Sequence, residues 1–320
     1  MDKYQRRGVI KLSQSEPFKI GILSGKGGVG KTSIAASLGY LARKDPEIKG
    51  VILLDCDVDA PNLALLFKSK SDIVNKDLYT TLKANFLEEK CVHCKKCIDE
   101  HYCEFNALNW NDEQQIPIID YLSCEGCGAC AYLCPEKAFL IEAVKSGAIK
   151  SYTTINDIPL IYGETILGST TSGKTVTECK NFAEEVNKSI SAQLEVIDGP
   201  PGIGCPVIAT ISGLNYVIAI VEPTPSALHD VIRVIEVANQ FKIPFSIIVN
   251  KADLESEFQE KFKQYIRENN YNVIGRIPFD FSVARAISNA QPVVEYAPNS
   301  SASIAIKGIY KNIKNIIQKA

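Results

Sequence analysis

Short continuous apolar runs alternate along this chain with stretches of helical period. Phe18 to Leu23 is the first such run, and Val51 to Leu54 the second. Ile158 to Tyr162, Leu194 to Ile197, Val217 to Val221, Phe245 to Val249 and Val273 to Ile277 repeat the pattern. After the first run, Ile34, Leu38 and Leu41 recur at i, i+4 and i+7, and Asp45-Pro46 stops the helix they define. Further helices are expected near Ser226 to Phe241 and Leu254 to Asn269. Unbroken apolar strands alternating with helices predict an α/β fold with a doubly wound, mostly parallel sheet covered on both faces. The last stretch places Ile306, Ile309, Ile313, Ile316 and Ile317 opposite Lys307, Lys311 and Lys314. It carries no Trp or Phe anchor, so docking onto the sheet is favoured over lying on a membrane.

The first strand runs directly into Gly25-Lys26-Gly27-Gly28-Val29-Gly30-Lys31-Thr32-Ser33, which fits G-x-x-x-x-G-K-[ST]. Such glycines let backbone N–H groups wrap phosphates. The following helix N-terminus favours anions, Lys31 neutralises charge, and the Thr32 hydroxyl can bind Mg²⁺. Asp55 and Asp57 end the second strand, and Asp198 ends the strand at 194–197. Ligands on a parallel sheet sit at the carboxyl ends of its strands, so these aspartates belong with the loop. Strand-end capping is the plainer alternative for Asp55 and Asp57.

Eight of the eleven cysteines lie between Cys91 and Cys134. They form two runs: Cys91, Cys94, Cys97, Cys103, then Cys124, Cys127, Cys130, Cys134 followed by Pro135. The second run is C-x2-C-x2-C-x3-C-P, the bacterial iron–sulfur spacing in which the fourth cysteine serves the other cluster. That logic predicts two 4Fe-4S clusters: Cys91, Cys94, Cys97 and Cys134 hold one, and Cys103, Cys124, Cys127 and Cys130 hold the other. The first run is irregular, with five residues before Cys103 and Glu104 where proline is usual. Paired C-x2-C elements also build zinc ribbons, but three cysteines at successive x2 spacings, twice over, favour iron–sulfur. His93 and His101 are expected to be exposed loop residues. The insert, 88–145, is expected to interrupt a phosphate-loop domain of 18–87 and 146–320, after an arm at 1–17.

The net charge of −2 argues against a nucleic-acid partner. It is unevenly spread: Glu88 to Glu142 carries eleven acids and four bases, a net of −7. An acidic module suits a basic redox partner, though solvated surface explains it equally well. No apolar run reaches the ~18 residues a membrane span needs, and the first residues lack a signal-type apolar stretch. A cytoplasmic location is expected, where many cysteines point to metal ligation rather than disulfides.

Lys26 makes the phosphate loop resemble the deviant Walker A loop of the MinD/ParA/Mrp superfamily. The match extends through Asp55-Cys56-Asp57-Val58-Asp59 and Asp198-Gly199-Pro200-Pro201-Gly202, which resemble its two switches. With the cysteine insert, the chain resembles superfamily members that contain a ferredoxin domain. The resemblance implies an ATP/ADP- and Mg²⁺-binding homodimer. Lys26 would reach the partner's nucleotide, Asp57 would position the attacking water, and Thr32 and Asp198, with Asp55 beside them, would serve the magnesium ion. Asn250, in Asn250-Lys251-Ala252-Asp253, and Asp280, in Ile277-Pro278-Phe279-Asp280, resemble adenine-contacting positions. Nucleotide state would then govern electron transfer from the clusters to a redox partner. The alternatives are cluster delivery to an acceptor protein, or a positioning ATPase with structural or sensory clusters. Cys205, after the second switch, stands where the nitrogenase iron protein carries a cluster ligand; a packed small residue is the favoured reading, as it is for Cys56 and Cys179.

Overall fold

A computed structural model of the chain describes residues 16–169, 171–254 and 258–319. The expected arm at 1–17 lies outside these apart from residues 16 and 17. The described strands are Phe18–Ser24 (β1), Val51–Asp55 (β2), Val74–Leu78 (β3), Thr81–Phe86 (β4), Leu108–Asn111 (β5), Ile116–Ile119 (β6), Phe139–Val144 (β7), Gly147–Thr153 (β8), Pro159–Thr165 (β9), Leu194–Pro201 (β10), Tyr216–Val221 (β11), Phe245–Asn250 (β12) and Val273–Ile277 (β13).

Nine of them form one sheet in the order β13-β12-β11-β1-β10-β2-β9-β8-β3. From β13 to β9 every pairing is parallel; β8 and β3 add an antiparallel edge. The central strands are buried throughout, as their unbroken apolar runs require. One core lies on each face. Ile34, Leu38, Ile306 and Ile309 belong to the first, and Val176, Ala183, Val234 and Phe262 to the second. The C-terminal helix Ser301–Lys319 docks against β13, with Ile306, Ile309 and Ile313 buried. An added methyl on Gly275 would lie 2.1 Å from Ile309, so this docking requires glycine. No described helix is long and apolar enough to cross a membrane.

The edge strands and the long helix Ser172–Ile190 have no strong apolar signature in the sequence. β3 is exposed at four of its five residues, and the helix buries mainly small or polar side chains, Thr175, Val176, Cys179, Ala183 and Asn187.

The cysteine-rich segment stands on its own small sheets. β4 pairs antiparallel with β7, and β5 with β6. Ala84, Phe86 and Phe139 pack with the cysteines. The pairing carries residues 81–87 with this unit, although the sequence places them with the phosphate-loop domain.

β10 also carries a buried acid. Glu195 is 1% exposed and neither carboxylate oxygen has a hydrogen-bond partner. Burial pushes its carboxyl up to about 7, against the pull of Lys19 and Lys180. Ionised Glu195 therefore disfavours the fold. Its contribution is harmless below the unfolded value near 4.5 and becomes unfavourable as pH rises through about 7. Glu195→Gln should remove that loss, raising stability above pH 7 by up to about 3 kcal/mol at 1.36 kcal/mol per pKa unit. Chemical denaturation at pH 5 and pH 8 checks it; an equal effect at both pH values would contradict it.

Candidate functional site

β1 delivers the phosphate loop to the centre of the sheet's carboxyl edge. Gly28 and Gly30 have φ of 79° and 93°, the left-handed region that favours glycine. The Ser24 hydroxyl donates to the Lys26 carbonyl at 2.6 Å, and the Asn250 amide donates to the Val29 carbonyl at 2.7 Å. Gly25 is partly buried, Gly27 and Lys26 are exposed, and Val29 is buried. Thr32 and Ser33 open the helix Lys31–Lys44, partly exposed beside the loop.

Strand register gathers the aspartates. Asp198 on β10 stands between Ile22 on β1 and Asp55 on β2. The Gly202 amide donates to the Ser24 carbonyl at 3.0 Å, tying the segment after β10 to the loop. Lys31 is buried beneath these groups. Burial draws its ammonium below the usual lysine range, while Asp198, Asp57 and Asp55 oppose that.

Each aspartate has its own task. Both oxygens of Asp55 accept backbone N–H bonds, from Asp57, Asn62 and Leu63, each at 2.9 Å. Burial pushes its carboxyl up to about 7, against these amides. Asp55 thus shapes the 56–63 loop directly. Asp198 is 1% exposed, touches the Thr32 side chain, and keeps one oxygen, Oδ1, without a partner. Burial, then the Asp55 carboxylate, pushes it far up. Asp57 is half-buried; burial raises its carboxyl and Lys31 opposes this.

Beside the loop a cleft of about 250 Å³ is lined by Gly30, Ser33, Asn250, Lys251, Pro278 and Phe279, among others. Asp280 lines it too, but its carboxylate caps the helix Phe281–Ser288 through Ser282 N at 2.8 Å and also takes Ala302 N and Ser301 Oγ, each at 3.0 Å. Burial works against ionisation there, yet the amides of Ala302 and Ser282 hold the carboxyl well below the usual range. Phe279 and Phe281 stand exposed at the rim, edge to face with centroids 5.0 Å apart. In the sequence Phe279 falls within the adenine-edge segment Ile277-Pro278-Phe279-Asp280 and Phe281 just beyond it; two aromatics flanking a strand-end turn are a visible signal for a flat ligand.

The cysteines assemble as two quartets. Cys91, Cys94, Cys97 and Cys134 line one small apolar pocket; Cys103, Cys124, Cys127 and Cys130 line another. Burial, then Cys91 and Cys94, push the Cys97 thiol up to about 11. Burial, with Cys124, Cys127 and Cys103, does the same to Cys130. Among the described residues no three His, Cys, Asp or Glu side chains close on a point suited to a single ion. The irregular spacing in the first run is absorbed by a left-handed turn at His101, φ 50°, which seats Tyr102 against both cavities. His93 and His101 are exposed, as the sequence predicts. Cys56 and Cys179 are buried and Cys205 is exposed at the start of the helix Cys205–Ile211.

Hydrogen bonds join the two regions. Asp59, in the loop after β2, accepts from the Thr165 and Ser172 hydroxyls at 2.7 and 2.9 Å. Beside Ser172, the Thr171 hydroxyl bonds those of Thr80 and Thr81 at 2.8 and 2.9 Å. Two residues along β4, the Lys83 ammonium donates to the Cys124 carbonyl at 2.5 Å.

The family profile described as the CobQ/CobB/MinD/ParA nucleotide binding domain matches residues 20–293. The chain belongs to this family. Its fold agrees with solved family structures, among them a ParA family ATPase from Chlorobium tepidum (TM-score 0.59, 15% identity, covering 94% of this chain and 100% of that one). The septum site-determining protein MinD with Mg-ADP from Pyrococcus horikoshii is similar too (TM-score 0.56, 17% identity, 94% and 97%). An uncharacterized protein of Methanocaldococcus jannaschii is 38% identical over 304 residues, 94% of this chain and 98% of that protein. An iron-sulfur cluster carrier protein of Pyrococcus furiosus is 24% identical over 302 residues, 89% and 82%. A 62-residue stretch is 44% identical to the indolepyruvate oxidoreductase subunit IorA of Pyrococcus horikoshii, covering 19% of this chain and 9% of that subunit.

Proposed function

We propose that this family member is an ATP-hydrolysing iron–sulfur protein in which nucleotide state governs electron transfer from two 4Fe-4S clusters in a ferredoxin-like insert to a redox partner. The observation that carries it is the route of hydrogen bonds, joined by the backbone at 171–172 and 81–83, from Asp59, in the first switch, to Cys124, in a cysteine quartet.

The residues fit the groups this function needs. Each quartet offers sulfur donors around a cavity rather than a point, which suits a multi-atom cluster better than one zinc ion. Backbone N–H groups of Ala84, Ala107 and His93 already point at Cys124, Cys103 and Cys91 sulfurs at 3.4, 3.3 and 3.4 Å. At the phosphate site, the orphaned Asp198 Oδ1 beside Thr32 suits a Mg²⁺ ion that keeps several waters and few protein ligands. That ion would neutralise charge developing on the transferred phosphoryl group.

The chain's own groups supply the rest. The loop amides from Gly25 to Ser33 hold the phosphates and Lys31 neutralises them. Asp57 orients the attacking water. Asp55 holds the first switch in shape. Lys26, exposed on the loop, reaches the nucleotide of a second copy in a homodimer. Asn250 and the cleft with Phe279 and Asp280 at its rim receive the adenine.

Cluster chemistry is tested by iron and sulfide analysis of anaerobically prepared variants. Cys134→Ser should remove the cluster of Cys91, Cys94 and Cys97 and leave the other, halving the iron; Cys103→Ser should do the reverse. Full iron content in either variant, or zinc in place of iron in the wild-type protein, would contradict the assignment.

A second reading, cluster delivery, draws on the relative named an iron-sulfur cluster carrier protein. Rapid transfer of iron and sulfide to an apo-ferredoxin would favour it; clusters that survive a chelator without transfer favour electron transfer.

A further inference from the structure

Lys83 is the one buried lysine among the described residues of the cysteine-rich unit, 5% exposed on β4. Its ammonium donates to the Cys124 carbonyl at 2.5 Å and lies 3.5 Å from the Gly168 carbonyl. The next residue, Ala84, points its N–H at the Cys124 sulfur. A charged lysine is rarely buried without a charge to answer, and the carbonyls it meets are neutral. Asp120 is a nearby acid; the Ser123 hydroxyl and Leu122 amide engage it first and hold it below the usual carboxylate range.

The other quartet differs. Lys95 and Lys96 line its cavity, but Lys96 is exposed and Lys95 lies over the Trp110 ring, 5.4 Å from its centroid. Solvent and salt screen such exposed charges far more than a buried one. Among the described residues the Cys103 quartet receives backbone N–H bonds from Ala84, Ala107 and Ala131, and the other quartet from His93 and Cys97.

We propose that Lys83 is a potential-setting residue. Its buried charge stabilises the reduced form of the cluster held by Cys103, Cys124, Cys127 and Cys130, so that one electron shared between the two clusters rests there. Net charge and hydrogen bonds to the sulfurs are the levers by which a protein sets such a potential. The electron leaves one cluster and enters the other, so the internal step balances without a further reactant. The favoured cluster is the one built against the ATPase body. An added methyl on Gly168 would lie 2.7 Å from Leu122, two residues before Cys124, and the Lys83 ammonium reaches the Gly168 carbonyl. Nucleotide-driven movement of the 165–172 segment would therefore meet the electron where it rests.

This inference rests on the cluster reading above. The test is an anaerobic redox titration followed by electron paramagnetic resonance, on wild-type protein, Lys83→Met and Asp120→Asn, each with its iron and sulfide measured. Lys83→Met should lower one midpoint potential and leave the other unchanged, by about tenfold in the reduction equilibrium, or about 59 mV for one electron. Asp120→Asn should raise the same potential. Equal potentials in wild type and Lys83→Met, with both clusters present, would overturn the proposal. Should Lys83→Met lose a cluster, Asp120→Asn decides alone, and no shift there overturns it. Wild-type protein without iron and sulfide would instead overturn the cluster reading itself.

Discussion

Lys31→Ala should abolish ATP turnover, by at least about 100-fold, the scale on which removing one preorganised donor slows a reaction. The expectation rests on position. Lys31 opens the helix behind the phosphate loop, is buried, and feels three carboxylates. Burial draws the ammonium below the usual lysine range, and the three aspartates oppose that without cancelling it. The nucleotide adds further negative charge at the same place, so the ammonium is held in the form that phosphoryl transfer uses. Alanine leaves Asp55, Asp57 and Asp198 facing those phosphates unopposed, and nucleotide binding should fall with turnover. Lys26→Ala should behave differently. Lys26 is exposed and its backbone carbonyl, not its side chain, anchors the loop through Ser24. Nucleotide binding should survive and turnover should be lost, as a lysine acting across a dimer requires. Nucleotide titration and phosphate release measure both variants. A fully active Lys31→Ala protein would remove the phosphate loop from the mechanism.

Asp59→Ala should separate the two halves of the molecule. The Asp59 carboxylate accepts hydrogen bonds from the Thr165 and Ser172 hydroxyls. Hydrogen bonds to charged groups contribute about 1.5–3 kcal/mol each, so the two can carry a coupling of typical size, 1–3 kcal/mol or about 5–150-fold. Without them, movement of the first switch no longer draws on the 165–172 segment. Hydrolysis should remain within a few-fold of wild type, while any effect of nucleotide on the clusters disappears. Rates of phosphate release and of cluster reduction, measured side by side, check this. A nucleotide effect of wild-type size in Asp59→Ala would show that coupling runs elsewhere.

The sequence makes much of this legible because much of it is local. The phosphate loop is nine consecutive residues, Gly25 to Ser33, between a strand and a helix. The cysteine quartets follow from short spacings and the crossed fourth ligand, and the structure brings together the same eight residues in the same two sets. What the sequence hides depends on distance along the chain or on competition for one side chain. The Thr80, Thr81 and Thr171 hydroxyls meet across 90 or more residues, and nothing near Thr80 announces it. Lys83 looks like a surface lysine on an alternating strand until β7 and the cysteines cover it. Residues 81–87 read as the tail of the first domain because the partner strand of β4 lies beyond the cysteines. Asp55 and Asp280 are legible as strand-end acids, but only their amide partners reveal that both carboxylates are already engaged. Tyr102 is placed by a turn at His101 that cysteine spacing alone does not define.

The claim that nucleotide state governs the clusters is tested most directly by anaerobic potentiometric titration of the wild-type protein with and without Mg-ATP. The account predicts that nucleotide shifts the midpoint potential of the cluster held by Cys103, Cys124, Cys127 and Cys130, together with its rate of reduction. Identical potentials and identical rates under both conditions, in protein that hydrolyses ATP and holds both clusters, would contradict it.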